Sequence, residues 1–355
     1  MSDNFILTGE ASLSSWNRVL EDLPDHLKDS YYNWEYIYLY EVPGQSTPML
    51  FVYKDGGHIY IMAFLKHKIT SILGRSLSNP IFDIETPYGY GGPISTTNDC
   101  NFIANANSAF LGWVKDNEIT AEFVRFHPIL RTKEFAGFNM FVERNKTTYS
   151  ITIDKQITAL DHFRGTARNR VKGALKNGIL SYEVSIEEGM KSFQKLYFAS
   201  MQRLQADNFY KFSGEYFERL TRMPKDQLRM LVTSDDEDFL SMAIFLKGKK
   251  GMHYHLGTNS ERRGHSGSFN LLMHHATEIG LKEELNWIHL GGGRLSDGSD
   301  SLSHFKRTIS NTTHDYFIGR RVHHMENWKA AHAQLNSENS FQKTMPRFLE
   351  YHFHP

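Results

Sequence analysis

What most constrains the fold of this chain is an order of local signals that occurs twice. In the first half, a helix-spaced segment at 14–24 carries Trp16, Val19, Leu20 and Leu23, with Ser14 or Ser15 as its cap. Two β-rich runs follow, 47–54 and 58–69, joined by Asp55-Gly56-Gly57, a hairpin signal. The stretch 83–95 reads as irregular, with two prolines and three glycines. A helix over 98–117 and a strand over 119–130, ended by Pro128, come next. The second half repeats the order. Helices over 158–179, 186–204 and 213–223 lead into a meander at 228–234, 239–248 and 251–259. A long helix (266–285), a strand (286–290) and a last strand (313–322) complete it. Such a pattern belongs to an α+β fold with a mostly antiparallel mixed sheet in each half, since a doubly wound parallel sheet needs strict strand–helix alternation. The expected domains are 1–150 and 151–325, followed by a helical tail over 326–355.

Composition agrees with two well-packed domains. The chain has 355 residues, 40% hydrophobic and 23% charged, which excludes global disorder. Forty basic residues balance forty acidic ones, so the chain is not built as a dedicated nucleic-acid or membrane-surface binder. Cys100 is the only cysteine, so no intramolecular disulfide can form. The N-terminus lacks a basic n-region and an apolar h-region, and no apolar run approaches a membrane span. A cytoplasmic protein is expected.

Several chemistries are excluded by spacing. Gly293-x-x-x-x-Gly298 looks like half a P-loop, but Ser299-Asp300 follow where Lys-Ser/Thr is needed, and a carboxylate there would repel phosphate. His253-x-His255 would point two rings to one strand face, but no third ligand lies at metal spacing; no metal centre is expected. There is no G-x-S-x-G elbow, and Cys100 has no partner in the sequence, so hydrolase triads find no support.

Other segments favour anionic ligands. Arg164, Arg168, Lys172 and Lys176 recur every four residues, with no Asp or Glu between Phe163 and Leu180. Such a stripe is either a solvated face or one that meets an anion. Arg203, Tyr210 and Phe212 put a guanidinium fork and stacking surfaces in one window. Tyr254 lies on a strand that leads, through a turn containing Gly264 and Gly267, to Ser268 at the start of the long helix. A turn of that kind presents backbone N–H groups to an anion. Acetyl-CoA users place a Q/R-x-x-G-x-G/A loop there, and the match from Glu261 or Gly264 is degenerate. Finally, three glycines (291–293) end an apolar run and precede Phe305, Lys306 and Arg307. Adjacent glycines are costly to order, so a strand ending in them needs φ > 0 or a close approach.

Taken in order, SYYNWEYIYLYE (30–41), ETPYGYGGP (85–93), EFVRFHPIL (122–130), RNRVKGALKNGI (168–179), SMQR (200–203) with Tyr210, MHYHLGTN (252–259), and LGGG with DSLSHFKRTIS (300–310) resemble the Fem-type, FemAB-like acyl- and aminoacyltransferases. The likeness spans roughly residues 30–320. It implies two tandem domains of the GNAT acyltransferase fold, with Phe305 and Lys306 at the reaction centre and the lysine stabilising negative charge. It also implies that Arg203, Tyr210 and Tyr254 line the acceptor site, with Tyr254 at the catalytic centre as well. Beside it, the residues themselves give Arg168, Asp83 and Tyr88 as expected further substrate contacts, and Gly264, Gly267 and Ser268 as expected contacts of acyl-CoA as co-substrate. Where glycyl- and alanyl-transferring relatives have an Arg-Gly-Pro turn with a nearby carboxylate, this chain has Gly91-Gly92-Pro93-Ile94-Ser95. The general base stays open among Asp83, Glu85, Tyr254 and a substrate phosphate. The expected function is amide formation from acyl-CoA to an amino sugar, nucleotide-linked, in bacterial surface-polysaccharide biosynthesis. The alternatives are aminoacyl-tRNA-dependent transfer to a peptidoglycan precursor and a non-catalytic GNAT-like binding module. Zero net charge and the lack of an inserted coiled-coil arm count against tRNA.

Overall fold

The computed structural model describes residues 3–204, 212–236, 238–261, 267–336 and 348–353. Two expected site residues, Tyr210 and Gly264, lie outside them. The chain forms two compact units, one of Met1–Leu27, Tyr31–Asn145 and Tyr316–Pro355, the other of Lys28–Ser30 and Lys146–Asp315.

In the first unit, β1 (Asp3–Thr8), β2 (Ser46–Asp55), β3 (His58–Ile72) and β4 (Arg75–Glu85) pair in sequence, all antiparallel, with β5 (Ile94–Ser95) also on β3. The hairpin at Asp55-Gly56-Gly57 forms as the sequence indicates, both glycines having positive φ. Helix α1 (Leu13–Glu21) starts two residues earlier than a Ser14 cap would place it, its N-cap being Ser12, which makes no capping hydrogen bond. Helix α2 (Trp34–Tyr38) follows α1, and α3 (Cys100–Asp116) follows β5. The Asp99 carboxylate accepts from Phe102 N–H at the start of α3, and Phe102, Ala106, Phe110 and Val114 form an apolar stripe at a spacing of four. That stripe packs on Phe51, Phe64, Ile84 and Val124. Each fully buried phenylalanine there contributes about 2–3 kcal/mol. The helix leads to β6 (Ile119–Arg125), parallel to β4.

The second unit follows the same plan. Part of β7 (Phe141–Thr152) belongs to it. Helix α4 (Gly165–Lys176) ends at Asn177 and Gly178, the glycine at φ +76° as the Asn-Gly pair predicts. Strand β8 (Leu180–Val184) is followed by α5 (Ile186–Arg203) and α6 (Gly214–Thr221), capped by Ser185 and Ser213. An antiparallel run of β8, β9 (Leu228–Ser234), β10 (Phe239–Lys247) and β11 (Gly251–Asn259) leads to α7 (Ser268–Lys282) and then to β12 (Trp287–Gly292), parallel to β11. Helices α4 and α7 cover this sheet through Ala167, Val171, Leu272 and Ala276. Helix α8 (Ser301–Ile309), β13 (Thr312–Val322) and α9 (Met325–Asn336) follow.

The units are not the continuous segments 1–150 and 151–325, and the reason lies in two strands. Beyond β6, the first unit is extended by β13, paired antiparallel from Ile318↔Arg125 to Val322↔Ala121. Beyond β12, the second unit is extended by β7, from Trp287↔Thr152 to Gly292↔Thr148. Each half of the sequence thus supplies the strand that finishes the other unit. The tail also belongs to the first unit: Ala331, Leu349 and Tyr351 are buried against Ile69, Ile72 and Ile81.

Candidate active site

The second unit contains an opening between two parallel strands. Strands β11 and β12 pair at Gly251↔Trp287, Met252↔Ile288 and His253↔His289, and their pairing ends there. Two irregularities coincide with the parting. On β11 the register against β10 shifts from Phe245↔Tyr254 to Ile244↔Leu256, so His255 is an extra residue. On β12 the register against β7 shifts between His289 and Gly291, making Leu290 extra, and Gly291 adopts φ +71°. A bulge bends its strand, and a glycine with positive φ is one way to build it. The first of the three glycines is thereby explained. Gly293 answers a different demand: a Cβ there would lie 1.8 Å from Ser303 Oγ and 2.4 Å from Asp300 Oδ2. The glycine run lets the strand bend and lets the start of α8 come against it.

Asp300 then fixes α8. Its carboxylate accepts from Leu302 N–H and Ser303 N–H, both at 3.0 Å, from Ser303 Oγ at 2.8 Å and from Leu295 N–H at 3.2 Å. Burial opposes ionisation of this group, but these hydrogen bonds outweigh it and hold the carboxyl well below the usual range. The residue that rules out a P-loop is therefore a helix cap.

One and a half turns into α8, Lys306 is buried and donates from Nζ to Gly292 O at 2.7 Å. Nζ stands 5.8 Å from the centroid of the Tyr254 ring. Phe305 packs edge-on against Phe269 of α7 at 5.7 Å, and Phe269 meets Tyr254 at the same centroid distance. Burial, with a smaller push from Lys146, lowers the Lys306 ammonium to about 7, although Asp300 opposes the shift. Burial also lowers Lys146, which donates to Gly293 O at 3.3 Å. The Tyr254 phenol is pushed above its ordinary value by burial. A lysine has three N–H donors, and among the described residues Lys306 uses one. The others can meet an oxyanion.

The structure brings Tyr254, Phe305 and Lys306 together and gives the other expected residues separate surroundings. Arg203, at the end of α5, pairs with Glu261 at 2.6 Å and donates to Ser200 Oγ at 3.1 Å. Arg168 is exposed and pairs with Asp161 at 3.4 Å. The counter-charge of the basic stripe thus comes from the turn before α4, and Arg164 is that helix's N-cap. Gly267, at φ +104°, caps α7 and lies so close to α4 that a Cβ would sit 2.5 Å from Arg170 O. Ser268 is buried, its hydroxyl 2.8 Å from Ser241 Oγ. In the first unit, Asp83 is fully buried and its Oδ2 accepts from Tyr351 Oη at 2.7 Å. Tyr88 is half-buried, its carbonyl accepting from Tyr36 Oη and its ring stacked on Tyr40 at 6.3 Å. His253 meets Asp29 Oδ2 at 2.9 Å, and His255 meets Tyr216 Oη at 2.5 Å. Sequence reasoning overlooked Phe269, Asp300 as a cap, and Lys146. Asp is a favoured N-cap residue, and Asp300 just ahead of the helix-spaced Leu302, Phe305 and Ile309 is such a signal; Lys146 has none.

Residues 161–307 match the model of the acetyltransferase (GNAT) domain family. This chain carries a GNAT acetyltransferase domain. The site just described lies on it, from Tyr254 to Lys306, and the acyltransferases are the enzyme class to which it points. Among solved structures, FemX is similar with a TM-score of 0.66 at 11% identity, over 91% of this chain and 99% of that one. The C-terminal domain of a putative lysylphosphatidylglycerol synthetase from Agrobacterium fabrum gives 0.54 at 11% identity, over 92% and 98%. A conserved protein of unknown function from Bacteroides thetaiotaomicron gives 0.55 at 8%, over 89% and 99%. These likenesses are of fold, and each covers about nine tenths of the chain and so both of its α+β units. No curated protein matches the sequence. Among the described residues, no helix is long and apolar enough to cross a membrane.

Proposed function

We propose that this GNAT-type acyltransferase forms an amide by moving an acyl group from acyl-CoA to the amine of an amino sugar, nucleotide-linked, in the making of a bacterial surface polysaccharide. The amine nitrogen attacks the thioester carbonyl, and an oxyanion forms as the C–N bond is made. Collapse breaks the C–S bond, and the amine's proton ends on the departing thiol. The observation that carries the reading is the buried Lys306 amine, held by Gly292 O at the end of β12 and 5.8 Å from the Tyr254 ring of β11, where those two strands part. A preorganised cation at a forming oxyanion is worth about 3–4 kcal/mol of barrier. A pure binding module has no use for that arrangement, which in isolation only costs stability.

A second reading, with an aminoacyl-tRNA as donor, is favoured by the likeness over almost the whole chain to FemX and to a putative lysylphosphatidylglycerol synthetase domain. Thermal unfolding with acyl-CoAs, amino-sugar nucleotides and aminoacyl-tRNA, each added separately, distinguishes the two. A ligand at a hundred times its Kd adds about 2.7 kcal/mol. Stabilisation by an acyl-CoA and a nucleotide sugar, with release of free thiol when both are present, is the expected result. Stabilisation by aminoacyl-tRNA alone would overturn the first reading in favour of the second.

A further inference from the structure

We propose that the first unit holds a divalent transition-metal ion of the zinc type, bound by His67, Glu85 and His352 with Asp83 beside them. Residues far apart in sequence build this cluster. His67 stands directly opposite Asp83 in the β3–β4 register, and Glu85 lies two residues along the same strand, so all three side chains share one face of the sheet. The C-terminal segment covers that face with Leu349 and Tyr351 and brings His352 to it. One donor atom from each of His67, Glu85 and His352 lies within 4.8 Å of the others. His67 Nε2 is 3.3 Å from Glu85 Oε1, and His352 Nε2 is 2.9 Å from Asp83 Oδ2.

Charge and donor type both call for a cation. Two carboxylates, Asp83 and Glu85, face one guanidinium, that of Arg125 at 3.0 Å from Glu85 Oε2. With neutral imidazoles the cluster therefore holds a net negative charge, and Asp83 and Glu85 have side chains only 0% and 18% exposed. Asp83 Oδ1 is in addition buried without a hydrogen-bond partner. Uncompensated buried charge is costly. Two imidazoles with carboxylate oxygens suit zinc, cobalt or nickel, whereas calcium and magnesium prefer oxygen alone. The ion would fasten the C-terminal segment to β3 and β4. Protonation of one imidazole is the competing way to balance the charge.

The test uses the full chain, stripped with EDTA and titrated with Co2+. One equivalent should bind, develop visible d–d absorption and be displaced by Zn2+, and Zn2+ should raise the Tm. His67→Gln and His352→Gln should each lose at least about tenfold in Co2+ affinity, while His58→Gln, at an exposed position, should not. No stoichiometric binding by the wild type, or unchanged affinity in both cluster variants, would overturn the proposal. Should the variants fail to fold, X-ray absorption on the cobalt-loaded wild type decides: two imidazole ligands support the site, none refutes it.

Discussion

The two units share a plan and differ where it matters for chemistry. In the first, β4 and β6 stay together: pairing runs to Glu85↔Phe123, Thr86 N–H donates to Phe123 O, and Gly91 N–H donates to Arg125 O at 2.7 Å. Arg125 closes the end of the pair with its ion pair to Glu85 and a hydrogen bond to Thr86 O. In the second, β11 bulges at His255, β12 bulges at Leu290, and the strands part after three residue pairs. The cation beside that opening is Lys306, buried with no carboxylate paired to it among the described residues. At this strand end the first unit therefore pairs its cation with a carboxylate, whereas the second keeps one poorly solvated. Satisfied charge holds a fold together; unsatisfied charge is available to a transition state.

The comparison can be broken most decisively at Lys306. Lys306→Ala should lower kcat by about 10²–10³ while the protein stays folded. In the wild type kcat should fall as pH rises through about 7, where the ammonium is lost. A folded variant with wild-type kcat would remove the second unit from the chemistry.

Stability should respond with opposite signs in the two units. Replacing Lys306 by Met should stabilise the protein, by up to on the order of 3 kcal/mol. The folded ammonium titrates near 7, whereas in the unfolded chain it titrates at about 10.4. Below pH 7 both states are charged and the cost of burial is fully present. Between these values only the unfolded state keeps the proton, so wild-type stability climbs with pH and the advantage of the variant fades. Arg125→Ala should instead destabilise, by about 1–3 kcal/mol, with little effect on kcat. Denaturant midpoints measured from pH 6 to 10 check both signs, and a destabilised Lys306→Met would contradict the contrast.

The smallest effect is expected on α4. Arg168→Ala should raise KM for an anionic substrate, less so at high salt, and Lys176→Ala should cost only about a few tenths of a kcal/mol of helix-dipole compensation. Equal behaviour of the two in steady-state kinetics would make the stripe a solvated face, as the exposed Arg168–Asp161 pair suggests.

Much of this was legible in the sequence because its strongest signals are local. The meander at 228–259, the Asn177-Gly178 stop and the glycine run before α8 each follow from near-neighbour chemistry. Strands β1, β4 and β7 do not. Strand β4 contains Pro80, and the first half of β7 exposes Phe141 and Val142 and then runs through Glu143, Arg144 and Lys146 with no apolar alternation. Such strands are defined by the partner they pair with. The same holds for the site: Phe305 and Lys306 carry a motif, whereas the closeness of Lys146, 160 residues upstream of Lys306, is a product of the β12–β7 register.

The exchange of finishing strands also governs when each unit can exist during synthesis. Strand β6 is complete at residue 125, but its neighbour β13 begins near residue 312, and the tail that covers Ile69 and Ile81 comes later still. For most of its time on the ribosome the first unit therefore has an unpaired strand edge and an uncovered apolar face. Contacts of such long sequence separation slow folding, and open edges invite wrong partners. A chain truncated near residue 310 should consequently fail in the unit made first, which makes the N-terminal unit the last to become stable.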